Sequence, residues 1–553
     1  MINLSKNGDM EMNKMNKRKV WLLILGGIIL LIAGAFVGGL SISGLLPWQS
    51  GNLYKDPQGR FTMKIDNDWE QVKTDGSYTE FKISDPPLHM YVLVLKANTI
   101  KDAFSQALMT TGFDAGLLSG GNAASLGDWQ LYAKTDAAGL EYGLAGQIVE
   151  ENAYVAMVKA DKPGVGTENA AVMRALMSLK IAGKQATAIK SYAGLETMLR
   201  QQVDSLAGSV SVAVVHQNKI VYTYAYGQAN PVKGIGADKQ TIYMFGSMTK
   251  MFTASALMQL EEQGKVDLDA WPGKYIPEFP KNWNVTVRQL LDHSACLPDS
   301  VRLAHGLIAK AGESFPPLKE IFTAYVRDYP DLVCEPGKVS QYANTHYLAL
   351  ARIIEEVSGE PYDTYVVDHI LTPLAMDSTR FQLTQANNRY AKGQYPADQA
   401  GKLVAEVSEY RGSDQADLIL QKGESYATMS DYRILPPWGG LRGTPSDVTN
   451  FLQMYLNGGR YGDIQILKPE TVAAMEKMQR SKDGSPLGLG LGWWFGKDDF
   501  GEYYYHNGSA PDSEATMRFY PKLDLGVVVM GNVTGYQSNK IAEGLVSAWM
   551  NEK

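Results

Sequence analysis

The chain has 553 residues, 45% hydrophobic and 20% charged, enough for more than one domain with an ordinary apolar core. Its net charge of -7 offers no basic surface for nucleic acid. Two cysteines, Cys296 and Cys334, are too few for a disulfide scaffold; without Cys-x-x-Cys or His-x-x-x-His spacing no metal site is expected, and no cofactor.

Lys14, Lys17, Arg18 and Lys19 precede an uncharged run from Val20 to Leu40. As a helix that run spans about 30 Å, the thickness of bilayer hydrocarbon. The basic flank predicts a cytoplasmic tail over 1–19, a single transmembrane helix over 20–42, and the rest of the chain outside the cell membrane. A cleaved signal peptide is the competing reading. The run is long for one, and Ser41-Ile42-Ser43-Gly44 is a poor cleavage site. Either way the remainder is exported.

Residues 52–183 read as a small α+β domain. Phe61 to Ile65, Tyr78 to Ile83 and Met90 to Leu95 alternate like half-buried strands. Ile100 to Met109 has helical spacing. Trp129 to Ala133, Leu140 to Glu150 and Tyr154 to Lys159 are strand-like, and Asn169 to Leu179 predicts a closing helix. The opening, Tyr54-Lys55-Asp56-Pro57 through Gly59-Arg60-Phe61 to Asp68-Trp69, resembles the start of PsbP-like domains. It holds no catalytic constellation, and a spacer or adaptor role is expected.

Residues 182–188 have linker composition. A second domain over 190–553 begins with an amphipathic helix from Tyr192 to Leu206. Strands Ser209 to Val215 and Lys219 to Tyr226 follow, joined at Gln217-Asn218 as a hairpin. Phe245-Gly246-Ser247-Met248-Thr249-Lys250 opens a helix with an apolar face through Met251, Ala254, Leu257, Met258 and Leu260, ended by Gly264. Ser247 then sits at a helix N-terminus with Lys250 one turn on, on the same face. A serine hydroxyl needs a base to attack an acyl carbonyl. Lysine is that base only if burial or a nearby cation lowers its pKa. Taken alone, the motif equally describes a capping serine and a solvated lysine. The chain closes with a buried-type strand from Gly526 to Met530 and a helix from Ser538 to Met550.

Two further motifs change the balance. Tyr342-Ala343-Asn344 follows Ser340-Gln341, and His506-Asn507-Gly508 precedes a strand-like stretch. Ser-x-x-Lys, Tyr-x-Asn and His-x-Gly, in this order, resemble the serine β-lactamase and penicillin-binding-protein superfamily. Framing segments agree: Val287 to Pro298, Pro373 to Thr379, and Gly439 to Asp447. The likeness covers roughly 190 to 550. A second Tyr-x-Asn at Tyr455-Leu456-Asn457 is out of register and reads as a helix end.

The resemblance implies an antiparallel sheet flanked by helices, with a helical subdomain. It implies Ser247 as nucleophile, Lys250 as base, and Tyr342 as an assistant that later activates water, either as phenolate or through a shared proton. Asn344 would bind the substrate amide or orient Lys250. His506 takes the place of the family's lysine. The N–H groups of Ser247 and Ser509 would form an oxyanion hole, and Gly508 would let substrate lie along the strand. His293 is expected to be structural. Activity is expected to shift where His506 titrates.

Cys296 stands where the family usually has glycine, and Asp512 where glycine usually follows proline. His-x-Gly belongs mostly to aminopeptidase-, carboxypeptidase- and esterase-like members. The function implied is an exported serine hydrolase acting on D-amino-acid peptides or esters, including cell-wall peptides, with no nucleic-acid partner. A β-lactamase, a non-catalytic penicillin-binding sensor, and a chain whose small domain is the working part remain alternatives. Whether Cys296 and Cys334 pair is left open.

Overall fold

The computed structural model describes residues 51–161, 179–181 and 191–552, apart from 67–68, 75–76, 85–86, 98, 119–121, 127–128, 137, 139, 150–151, 207, 300–307, 311–312, 383–388, 398–399, 402–418, 430, 511 and 534–536. The expected transmembrane helix over 20–42 and the closing helix from Asn169 lie outside the described residues. Among those described, no helix is long and apolar enough to cross a membrane. The chain forms two compact units, one running up to Ile181 and one from Ser191.

The first unit is built on a seven-stranded antiparallel sheet. Its order is Glu70–Thr74, Tyr78–Ser84, Pro87–Lys96, Asn152–Ala160, Glu141–Val149, Trp129–Thr135, Asn122–Leu126. The two central strands are buried on both faces, so they read as near-continuous apolar runs. Tyr91, Leu93, Val155 and Met157 pack against the helix Ile100–Thr110, whose Thr99 cap accepts the N–H of Asp102. Met90, Val92, Ala156 and Val158 face the other way, onto Phe61, Met63 and Ile65 of the strand Phe61–Asp66. That strand pairs with Gly51–Lys55 and Lys180–Ile181.

The second unit contains, in chain order, α1 (Tyr192–Leu206), β1 (Ser209–His216), β2 (Lys219–Asn230), β3 (Ile235–Gly236), α2 (Thr249–Glu262), α3 (Asn344–Ser358), α4 (Pro445–Leu456), β4 (Trp494–Asp498), β5 (Gly501–Ala510), β6 (Ser513–Tyr520), β7 (Leu525–Gly531) and α5 (Ser538–Glu552). The strands form one antiparallel sheet in the order β3-β2-β1-β7-β6-β5-β4. The first and last strands of the unit thus meet at its centre, through the β1–β7 ladder from Val210–Gly531 to His216–Leu525.

β7 shows why this sheet needs two covers. Val527 and Val529 pack with Leu195, Leu199, Ile541 and Leu545 of α1 and α5. Val528 and Met530 face α2 and α4, among Phe252, Phe451 and Leu452. Fully burying each such side chain contributes roughly 1.5–3 kcal/mol before chain entropy is charged against it.

The sequence suggests one apolar face on α2. The structure buries the helix on every side: Lys250, Thr253 and Ser255 are as enclosed as Leu257. α2 runs between the sheet and the helical subdomain, so its polar side chains need partners inside. Thr253 Oγ1 lies 2.7 Å from Tyr362 Oη and donates to Pro437 O, and Ser255 Oγ lies 2.9 Å from Tyr455 Oη. This places Tyr455, the out-of-register tyrosine, in the core.

Candidate active site

Ser247 occupies a single 3-10 turn, Gly246–Met248, that leads directly into α2. The turn forms because Gly246 has φ +52 and because β5 lies against it. A Cβ on Gly246 would stand 2.7 Å from both N and O of Ser509. The approach is closer still at Gly508, where a Cβ would be 1.8 Å from Phe245 O. The expectation for Gly508 was room for substrate. The structure gives a different reason: the strand carrying Ser509 can touch the turn carrying Ser247 only without a side chain there.

Four of the expected residues converge. Lys250 Nζ is 3.0 Å from Ser247 Oγ and 2.7 Å from Asn344 Oδ1. Its third neighbour is Trp438 O at 3.1 Å. Tyr342 Oη donates to Ser247 Oγ at 2.8 Å. The Lys250 nitrogen also lies 4.9 Å from the centre of the Tyr342 ring. Asn344 is the first residue of α3, and its side chain is used at both ends: Nδ2 donates to Asp299 Oδ2 at 3.2 Å. Asp299 Oδ1 also accepts the Asn344 backbone N–H at 3.1 Å. Of the two roles expected for Asn344, this geometry serves the orientation of Lys250.

The electrostatics follow from enclosure. Burial lowers the Lys250 pKa, and the nearby Asp299 carboxyl opposes that only in part. Burial in turn raises Asp299, against the pull of the amine. The amine is therefore favoured in its neutral form relative to a solvated lysine.

Burial also raises the Tyr342 hydroxyl well above its usual value. A resting phenolate is thereby disfavoured, which corrects half of the expectation for Tyr342; the shared-proton form is compatible with the contact to Ser247. His506 is corrected too. It is 1% exposed, and burial with the adjacent Lys250 holds it down to about 3. It stays neutral around pH 7, so it gives no titration there.

His293 and His346 lie behind Tyr342. His293 Nδ1 is 3.0 Å from His346 Nδ1 and accepts the Ala343 N–H at 3.3 Å. The His293 carbonyl accepts Gln341 N–H at 2.6 Å, and the ring packs on Tyr342 with centres 4.4 Å apart. Ser294 O accepts Gly337 N–H at 2.8 Å, and His346 Nε2 accepts Leu297 N–H at 3.2 Å. Cys296 and Cys334 form a disulfide between the same two segments. Cys296 has φ +59, a backbone state in which glycine is at ease and cysteine is not.

Asp299, Trp438 and His346 were not anticipated. Asp299 follows a framing segment that ends at Pro298, and its proximity to the motif was the only available sign. Trp438 contributes a main-chain oxygen, which has no signature in sequence. Among the described residues no group of side chains could hold a metal ion.

Comparison with known proteins points one way. A family model described as Beta-lactamase matches residues 195–546. A protein of Escherichia coli (strain K12) named "Putative D-alanyl-D-alanine carboxypeptidase" is 28% identical over 331 residues, 54% of this chain and 70% of that one. Among solved structures, the octameric penicillin-binding protein homologue from Pyrococcus abyssi is 26% identical with a TM-score of 0.53, covering 65% of this chain and 77% of that one. The D-amino acid amidase from Ochrobactrum anthropi SV3 shares the fold at a TM-score of 0.53 and 21% identity, covering 65% of this chain and 98% of that one.

Proposed function

The chain belongs to the beta-lactamase family and is a serine hydrolase, and from that premise we propose that Ser247 forms a covalent acyl-enzyme with D-amino-acid peptides or esters. The observation that carries the reading is the set of partners around Lys250. Asn344 Oδ1 and Trp438 O can only accept. A neutral amine gives its two hydrogens to them, and its lone pair is left for the Ser247 hydroxyl.

Acyl transfer then runs as follows. Ser247 Oγ bonds to the substrate carbonyl carbon while its proton passes to Lys250. The C–N or C–O bond to the leaving group breaks, and the leaving group takes that proton. Tyr342, donating to Oγ, steadies the oxygen. The N–H groups of Ser247 and Ser509 are the proposed oxyanion hole. Water finally cleaves the ester with the same amine as base. The chain is further proposed to be anchored in the cell membrane by residues 20–42, with both folded units outside.

Labelling of the protein by a fluorophosphonate and by a fluorescent penicillin, beside Ser247→Ala, tests the nucleophile. Labelling is expected to vanish in the variant; labelling that persists there would sink the assignment. Parallel turnover of a short-chain ester and a chromogenic cephalosporin is expected to favour the ester. Faster cephalosporin turnover would favour a β-lactamase, and labelling without turnover a sensor.

The pH dependence follows from the direction of the Lys250 shift. Acylation needs the neutral amine, so the rate rises with pH and levels off above the Lys250 pKa, well below that of free lysine. His506, neutral throughout, adds no limb. The midpoint of the acidic limb is therefore expected to be the same in His506→Gln, whatever that variant's absolute rate. A midpoint that moves with the substitution would return the titration to His506.

A further inference from the structure

Tyr342 is held by neither a strand nor a helix. Gln341, Tyr342 and Ala343 lie outside both, and α3 begins only at Asn344. Backbone of this kind must find its hydrogen bonds elsewhere. Both neighbours of Tyr342 find them on one residue. The His293 carbonyl accepts the Gln341 N–H at 2.6 Å, and His293 Nδ1 accepts the Ala343 N–H at 3.3 Å. The His293 ring then lies against the Tyr342 ring, with centres 4.4 Å apart and planes 34° from parallel. Main chain, ring nitrogen and ring face of a single histidine thus bear on one tyrosine.

The histidine is itself fixed. It is fully buried, with φ +57, a region in which histidine is commoner than most residues that carry a side chain. Behind it, His346 Nε2 accepts the Leu297 N–H at 3.2 Å. Burial, with Lys250 nearby, holds His346 down to about 3, so the ring is neutral and its one proton sits on Nδ1. That proton points at His293 Nδ1, 3.0 Å away. Burial keeps His293 neutral as well. Two donors, the Ala343 N–H and the His346 Nδ1–H, therefore meet His293 on one side of its ring. A flip that put Cδ2 there would lose both bonds, so one orientation of the ring is selected.

Tyr342 Oη donates to Ser247 Oγ at 2.8 Å. Oη is the far end of the side chain, where a small tilt of ring or backbone is magnified. The His293 contacts fall on that ring and on the peptides to either side of it.

We infer that His293 is a positioning residue for acyl transfer: it acts through Tyr342, holding the phenol so that Oη meets Ser247 Oγ. This role rests on the acyl-enzyme reading above and adds a residue to it.

A double-mutant cycle on the full-length protein provides the test, read as the rate of fluorophosphonate labelling with the denaturation midpoint beside it. Tyr342→Phe keeps the ring against His293 and removes only the hydroxyl. His293→Ala removes the ring and its acceptor. Each single variant is expected to label more slowly, His293→Ala by up to about 10²-fold, the cost of misplacing a reacting group by about 1 Å. A residue that acts only through the hydroxyl has nothing left to act on once the hydroxyl is gone. The double variant is therefore expected to label within about twofold of Tyr342→Phe alone. A merely structural histidine would lower the rate by the same factor in both backgrounds. Should His293→Ala fail to fold, His293→Asn serves in the same cycle, because asparagine accepts the positive φ and offers Oδ1 near the place of Nδ1. His293→Asn is expected to lose less rate than His293→Ala.

Losses that multiply in the double variant overturn the assignment, as does a His293→Ala protein that labels at the unaltered rate. Full-rate labelling of Tyr342→Phe overturns it differently, by removing Tyr342 from the step. Failure of the unaltered protein to label would instead remove the acyl-enzyme reading itself, which keeps these failures apart.

Discussion

Lys250→Ala is expected to remove acylation of Ser247 nearly as completely as Ser247→Ala. The reason is the lack of any substitute base. Tyr342, the other group on Ser247 Oγ, has its hydroxyl raised by burial and acts as a donor. His506 and His293 are neutral, but each ring nitrogen is engaged or has no contact with the serine. A positioned base contributes about 10²–10⁴-fold to such a step. Here the loss should reach the upper part of that range, since the alanine also leaves Asn344 Oδ1 and Trp438 O facing a cavity. Fluorophosphonate labelling rates of the two variants, measured side by side, check this. A Lys250→Ala protein that labels like the unaltered chain would show that another group takes the proton.

Gly508→Ala should be the most damaging single methyl group in the cleft. The added carbon would stand 1.8 Å from Phe245 O and 2.9 Å from Phe245 C. Both atoms are main chain, so no side-chain rotation relieves the overlap. Either β5 or the turn holding Ser247 must retreat. Overpacking of this kind costs about 3 kcal/mol. The larger effect falls on chemistry, because the N–H of Ser509 moves away from Ser247. A displacement near 1 Å at reacting groups costs about 10²-fold in rate. Denaturation midpoint and labelling rate should therefore both fall, the rate more than the stability warrants. Normal labelling in a folded Gly508→Ala protein would mean that the contact between strand and turn is dispensable.

Much of this site was readable because its elements are local. Ser247 and Lys250 are three residues apart, across the turn that leads into α2. Tyr342 and Asn344 lie either side of Ala343, where extended chain turns into α3. Spacing of that kind survives without any knowledge of the fold. The strands Tyr78–Ser84 and Pro87–Lys96 were equally open to reading, since their alternation or continuous apolarity reports burial.

Other parts had no such mark. The strand Glu70–Thr74 is exposed along its whole length and has no pattern to betray it. Trp438 acts through a carbonyl that any residue would supply. His346 matters only because the fold brings its ring to His293. The pairing of Cys296 with Cys334 depends on the path between them, which residue types alone do not describe.

That bond has a consequence for how the protein fails. Segment 293–299 is stitched to the chain around 333–346 at His293, Ser294, Cys296, Leu297 and Asp299. All the stitches except the disulfide are hydrogen bonds, three at His293 and two at Asp299, and Cys296 is held in a backbone state it would not choose. Cutting the sulfur link is expected to loosen this seam and to leave the seven-stranded sheet, with its two apolar covers, untouched. Spectra that report strands and helices would look sound while Asp299 and Asn344 no longer hold the amine in line. For this chain, a well-folded preparation and a competent one are different specifications, and thiol chemistry separates them.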